Sequence, residues 1–325
     1  MKKLIVAALA ALALTGATQA QTIELRFATS VANVEEPSYK AIQTFAQRVE
    51  ERSEGRIHIT ILHGEQLGAQ KKINEMIMSG AALMSMTDYG ALGQFLPDIA
   101  LLAGPYMYAS LDDANRLLHS DVFAEVAGRL ADQGLSIVMS DGLFGYRHLL
   151  ANKPIRTPAD MVNLSVRVPP SPMMLEAFRS VGARPTEIPW GEVYNALQSN
   201  VVDAAEAPYA SIYGSNLQEV RHVVSNTAHQ IMFTAWITST QFLNSLPEDL
   251  RQILMEEGVR IGPELTEMTL ASDAEFAQKL RDAGVEIVED VDIPAFQDAT
   301  KSAYDNVPNV TPGIVERMRE AMAAK

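Results

Sequence analysis

The chain has 325 residues, no cysteine and a formal net charge of −14. Net acidity argues against nucleic acid or an anionic membrane surface as partner. Without thiols there are no disulfides, zinc–thiolate centres or cysteine nucleophiles. The length allows one large or two medium domains with a sizeable core.

Met1-Lys2-Lys3 forms a positive n-region, Leu4 to Leu14 an apolar h-region, and Thr18-Gln19-Ala20 a small-x-small cleavage site. A membrane anchor needs about 20 apolar residues, so residues 1–20 are predicted to be a secretory signal peptide. Its removal takes Lys2 and Lys3 and leaves a charge of −16. No later stretch is long and apolar enough to span a bilayer.

Beyond it the chain alternates strand and helix. Ile23 to Ala28 reads as a strand. Pro37-Ser38 introduces a helix with Ile42, Phe45, Ala46 and Val49 on one face, ending at Gly55. Ile57, Ile59 and Ile61 alternate with polar residues as a second strand, which makes a β-α-β unit. A helix from Ala69 to Ser79 and a strand from Leu83 to Thr87 follow. Leu111-Asp112-Asp113 caps another helix. Leu135 to Met139 and Gly145 to Leu150 are predicted as successive strands, the second carrying Arg147. Thr157 is an N-cap with Pro158 behind it.

From Leu164 to Tyr209 the pattern is densest. Leu164 to Val168 is a short strand containing Arg167 and stopped by Pro169-Pro170. Ser171-Pro172 opens a helix that ends near Gly182. Arg184 to Ile188 is extended. Trp190 opens a helix with Val193, Ala196 and Leu197 on one face. Val201-Val202 begins a strand that runs to Ala207. A helix near Ser211 to Val220, a strand from Ile231 to Thr238, and a long helical region from Leu246 toward Leu280 follow. Gly258, Gly262 and Pro263 are expected to bend that region. Val285 to Val288 and two helices, near 295–304 and 312–323, complete the chain. Alternating strands and helices imply a parallel α/β sheet whose ligands sit at the strand ends.

Motifs for chemistry are missing. The six histidines form no HExxH or other close ligand pair. There is no G-x-S-x-G elbow, GxGxxG or Walker loop. No catalytic residue, metal ligand or cofactor is therefore assigned. Arg167 in an apolar strand is either an edge-strand arginine or a fork for a carboxylate, which a guanidinium binds bidentately while staying charged.

Four segments in order, Val166-Arg167-Val168-Pro169, Gly182-Ala183-Arg184-Pro185-Thr186, Glu192-Val193-Tyr194-Asn195-Ala196-Leu197-Gln198 and Val201 to Pro208, resemble the solute-binding proteins of tripartite ATP-independent periplasmic (TRAP) transporters, the DctP-like family. His63-Gly64-Glu65-Gln66-Leu67-Gly68 and Asn152 to Met161 match it as well. The resemblance implies a two-lobe α/β periplasmic binding fold with interleaved lobes, mixed and mostly parallel sheets, and a long helix spanning the lobes. The boundaries expected are 21–144 with 233–272 for one lobe and 145–232 with 273–325 for the other. It implies that Arg167 holds a ligand carboxylate, that Arg147 is a second ligand-contacting arginine, that an aromatic, here Trp190, lies against the ligand, and that Asp88 is a polar pocket residue. Where relatives commonly read D-G-Q-E-N-P, this chain reads Asp203-Ala204-Ala205-Glu206-Ala207-Pro208. Glu206 is kept and a ligand-bonding asparagine is replaced by Ala207; Tyr209, Trp190, Phe144 and Tyr146 are expected to make the pocket more apolar. The substrate-binding set is thus Arg167, Arg147, Trp190, Glu206, Ala207, Tyr209 and Asp88. The implied function is a monomeric periplasmic protein that delivers an organic acid to TRAP permease subunits. A sugar acid or other monocarboxylate is favoured, with a C4-dicarboxylate as runner-up and Arg147 taking its second carboxylate. The alternatives are an extracytoplasmic sensing subunit with the same pocket, and an exported enzyme.

Overall fold

The computed structural model describes residues 22–324; the signal peptide expected over residues 1–20 lies outside them. Nine strands occur among the described residues: β1 (Ile23–Ala28), β2 (Ile57–Leu62), β3 (Leu83–Asp88), β4 (Leu135–Ala151), β5 (Ser165–Val168), β6 (Arg184–Glu187), β7 (Ala205–Ala207), β8 (Val223–Ser239) and β9 (Glu286–Val288). The main sheet runs β2-β1-β3-β8-β4-β7, with β9 on β8, while β5 and β6 pair separately. β1 lies parallel between β2 and β3, and the expected crossover helix, Pro37–Arg52, joins it to β2. A right-handed crossover is the ordinary way to join parallel neighbours. Parallel pairing also joins β5 to β6 and β8 to β9. The longest ladder, β4 against β8, is antiparallel.

The two strands expected near 135–139 and 145–150 are one strand of 17 residues, and the strand expected at 231–238 begins at Val223. Four register shifts along the β4–β8 ladder explain the misreading. Each extra residue bends the strand and breaks the alternation that marks it in a sequence. The strand expected from Val201 is only Ala205–Ala207. Its approach is irregular because Arg221 donates to the carbonyls of Val202 and Asp203, at 2.9 and 2.7 Å. The helix expected over Ser211 to Val220 is split into Tyr209–Gly214 and a 3₁₀ turn, Leu217–Glu219. Asn216 sits between them at φ 55°, a left-handed conformation that no helix continues through.

Glu248–Asp282 is a single helix of 35 residues that includes Pro263. It packs against β4, against Pro37–Arg52 and against Tyr209–Gly214, and contributes side chains to two separate cores. Gly258 and Gly262 let it lie close on β4. A Cβ at Gly258 would come 2.1 Å from the Val138 carbonyl oxygen, and one at Gly262 1.9 Å from Asp141 Oδ1.

One core forms under β1, where the Trp236 ring meets Phe27 and Phe45 edge-on at 5.0 and 5.4 Å. Burying such a side chain contributes about 1.5–3 kcal/mol. A second core gathers around Leu150, Val193, Leu197, Ile212 and Leu280. The last helix, Ile314–Ala323, packs on Leu111–Leu118 and Asp121–Asp132.

Candidate ligand cleft

The ends of β3 and β5 and the turns after β2 and β6 converge on a cavity of about 670 Å³. One wall comes from the N-terminal part of the chain and includes Ser30, Glu65, Asn74 and Asp88. The opposite wall includes Arg167, Pro169, Trp190 and Ala207. Two hydrogen bonds cross from wall to wall: Gly191 N–H to Glu65 Oε2 at 3.2 Å, and Gln94 Nε2 to the Pro170 carbonyl at 2.9 Å.

Arg167 stands near the end of β5, where Pro169-Pro170 cannot extend the ladder. Its backbone N–H donates to the Ala204 carbonyl at 2.8 Å. Nε donates to the Ile188 carbonyl at 2.9 Å. Nη1 is buried and has no hydrogen-bond partner; the nearest carboxylate oxygen, Glu206 Oε1, is 3.7 Å away. The guanidinium lies 5.2 Å from the centre of the Trp190 ring, and Trp190 Nε1 donates to Ser215 Oγ at 3.1 Å. Burial pulls the Arg167 pKa down to about 10, with Glu206 opposing the drop and Arg147 adding to it. The group still carries its charge at neutral pH.

Arg147 is arranged differently. It reaches from β4 to Glu206 on β7, and its Nε and Nη2 donate to the two carboxylate oxygens of that residue. Nη2 also donates to the Glu206 carbonyl at 2.9 Å, and Nη1 lies 3.0 Å from Met232 Sδ. His229 Nε2 donates to Glu206 Oε2 at 3.3 Å, with Thr227 Oγ1 2.8 Å from the other ring nitrogen. Burial alone would raise the Glu206 pKa, but the Arg147 charge and the His229 contact hold it at about 2. Burial likewise opposes the Arg147 charge, and Glu206 restores it, keeping Arg147 above its ordinary range. Arg147 and Glu206 are thus a paired, buried unit.

Of the residues singled out in the sequence, Arg167, Arg147, Trp190, Ala207 and Asp88 line the cavity, as does Phe144. Glu206 is behind Arg147, fully buried. Tyr209 is a correction: it lies outside the lining and stacks on His148, 4.4 Å between ring centres. It follows Pro208 as the first residue of the next helix, which turns it into the core around Ile212. Tyr146 is likewise absent from the lining.

Several lining residues escaped the sequence reading. Asn74 is buried, accepts from Gln70 Nε2 at 2.8 Å, and leaves its own Nδ2 without a partner. Its only signal is a polar residue on the apolar face of a short helix. Glu65, half-buried, sits in the His63 to Gly68 turn at φ 59°; that motif is visible, but nothing in it points to the cavity. Glu36, at the cap of Pro37–Arg52, is buried, and burial pushes its pKa up to about 8 against an opposing bond from Ser211. Burial also raises Asp88, against the charge of Arg147, and Glu65, against the Gly191 N–H and Arg167.

A cleft between two walls joined by long shared strands, with a buried arginine in its lining, is the arrangement of a two-lobed binding protein. The profile of bacterial extracellular solute-binding proteins, family 7 (DctP), matches residues 27–309, and the chain belongs to that family, the solute-binding proteins of TRAP transporters. A solute-binding protein of Chromohalobacter salexigens is 32% identical over 277 residues, covering 84% of this chain and 82% of that one. The crystal structure of a TRAP periplasmic solute-binding protein from Ochrobacterium anthropi with bound L-fuconate superposes with a TM-score of 0.89 at 28% identity, covering 93% and 99% of the two chains. An apo open structure of such a protein from Escherichia fergusonii, with the same identity and coverage, gives 0.78. No helix among the described residues is long and apolar enough to cross a membrane.

Proposed function

We propose that this chain is the periplasmic subunit of a TRAP transporter that captures an organic acid and hands it to the membrane permease. The observation that carries the reading is Arg167, a buried guanidinium in the cavity lining whose Nη1 makes no hydrogen bond; its nearest carboxylate oxygen, Glu206 Oε1 at 3.7 Å, is already held by Arg147. A buried N–H without an acceptor is costly, and a ligand carboxylate would supply that acceptor beside a charge that Glu206 meets only at 3.7 Å. Both walls would then touch one ligand, which favours the closed arrangement because only that state offers all the contacts.

The ligand carries one carboxylate on Arg167 and a body that is sugar-like or partly apolar, packed near Trp190 and Phe144. The L-fuconate held by the Ochrobacterium relative, one carboxylate on a hydroxylated chain, supports this choice. A C4-dicarboxylate that uses Arg147 for its second carboxylate is disfavoured, since Glu206 already takes Arg147 bidentately. A thermal-shift screen over aldonates, uronates, keto acids, dicarboxylates and aromatic acids tests the reading. A rise in Tm with at least one hydroxylated monocarboxylate supports it, and no rise with any acid contradicts it.

A further inference from the structure

The charge inventory of the cleft goes beyond its anchor. Glu36, Glu65, Asp88 and Glu187 all line the cavity, against Lys71, Arg147 and Arg167. Of the three cations, Arg147 is neutralised by Glu206, and Lys71 is an exposed residue. Arg167 is the one of the three with a buried cationic N–H that makes no hydrogen bond, its nearest carboxylate oxygen being Glu206 Oε1 at 3.7 Å. Glu187 is exposed, like Lys71, and Glu36, raised to about 8 by burial, is mostly protonated at neutral pH. The inner carboxylates are therefore Asp88 and Glu65, beside the Asn74 Nδ2 donor, which has no partner of its own.

We propose that the cleft selects acids bearing a single carboxylate and a hydroxylated body over acids with two carboxylates, and that Asp88 and Glu65 enforce the choice. This rests on the carboxylate reading above and adds a rule about the rest of the ligand. A hydroxyl both donates and accepts, so it satisfies Asp88 or Glu65 and Asn74 alike. A second carboxylate only accepts, so beside Asp88 and Glu65 it meets repulsion, with the exposed Lys71 the one other cation of the lining not held by a carboxylate. Discrimination of this kind comes from an unfavourable contact built against the wrong ligand.

Both residues can be neutralised without removing their structural bonds. Asp88 Oδ1 accepts from Ala91 N–H at 2.9 Å as a helix cap, and asparagine caps as well as aspartate. Glu65 accepts from Gly191 N–H, which the glutamine carbonyl also does.

The test is calorimetry with matched pairs: D-gluconate and D-glucarate, D-galactonate and D-galactarate, 4-hydroxybutyrate and succinate. In each pair a terminal hydroxymethyl is exchanged for a carboxylate. In the wild-type protein the monocarboxylate of every pair that binds is expected to be at least ten-fold tighter. Asp88→Asn and Glu65→Gln are each expected to narrow that ratio several-fold by strengthening the dicarboxylate. A wild-type protein that binds the dicarboxylate as tightly or more tightly overturns the inference, whether or not the variants fold. So does a ratio that neither variant changes. Binding of dicarboxylates through Arg167 would leave the carboxylate reading standing while this rule fails. If no member of the panel binds, the carboxylate reading and this inference fail together.

Discussion

The Arg167 guanidinium sits 5.2 Å from the centre of the Trp190 ring, so the anchor cation rests against an aromatic face. This contact limits the directions in which the guanidinium can turn and lowers the cost of holding a buried charge. Trp190→Ala removes it together with apolar cleft wall. A desolvated cation–π contact is worth on the order of 1–2 kcal/mol, so affinity for the best acid falls by about five- to thirty-fold. Trp190→Phe keeps a ring and retains most of the affinity. Titration calorimetry on both variants checks this; equal affinity in wild type and Trp190→Ala contradicts it.

Closure is the second expectation. The hydrogen bonds from Gly191 to Glu65 and from Gln94 to Pro170 join the two walls, and a ligand adds contacts to both. Small-angle scattering is expected to give a smaller radius of gyration at saturating ligand than without it. An unchanged radius speaks against a closing cleft.

Glu36 gives the chain a pH dependence with a definite sign. Its ordinary pKa is 4.5, and burial raises it to about 8 in the folded chain. Between those values the folded state holds a proton that the unfolded state has lost. Stability from this group is therefore full below about pH 4.5 and declines until pH passes about 8, by up to about 1.4 kcal/mol per pH unit. Asp88, Glu65 and Asp273, also raised chiefly by burial, act in the same direction. Glu36→Gln flattens the fall of Tm between pH 5 and pH 8 and melts higher than wild type at pH 8. Superimposable Tm–pH curves contradict the assignment.

The close seat of the long helix on β4 is testable at Gly258. A methyl there meets the Val138 carbonyl oxygen at 2.1 Å, and backbone cannot move aside cheaply. Gly258→Ala is expected to destabilise the protein by about 1–3 kcal/mol, measured by denaturant unfolding, although alanine is the better helix former. A gain in stability would show that the helix can lift from the strand.

Local patterning made much of this molecule legible. Apolar spacing and caps mark the opening β-α-β unit, and Pro169-Pro170 marks the end of β5 and so the position of Arg167. What remained hidden depends on contacts between distant segments. The pairing of Arg147 with Glu206 spans 59 positions in the chain, and no local signal says whether an arginine faces a ligand or a carboxylate. Tyr209 was misplaced because sequence proximity to Glu206 does not tell which side of a strand-to-helix turn a side chain takes. Asn74 and Glu65 reach the cleft only because their helix and turn are stacked at the strand ends. The bulges in β4 and β8 erase the alternation that would have shown two long strands.

The most direct test of the central claim is the affinity of the Arg167→Lys protein for the acid that most stabilises the wild type. Lysine keeps the charge but loses the planar fork and the bond from Nε to the Ile188 carbonyl. A charge-assisted hydrogen bond contributes about 1.5–3 kcal/mol, so calorimetry is expected to show a ten- to hundred-fold loss of affinity in a protein whose circular dichroism spectrum is unchanged. A folded Arg167→Lys protein that binds the acid as tightly as wild type would contradict Arg167 as the carboxylate anchor.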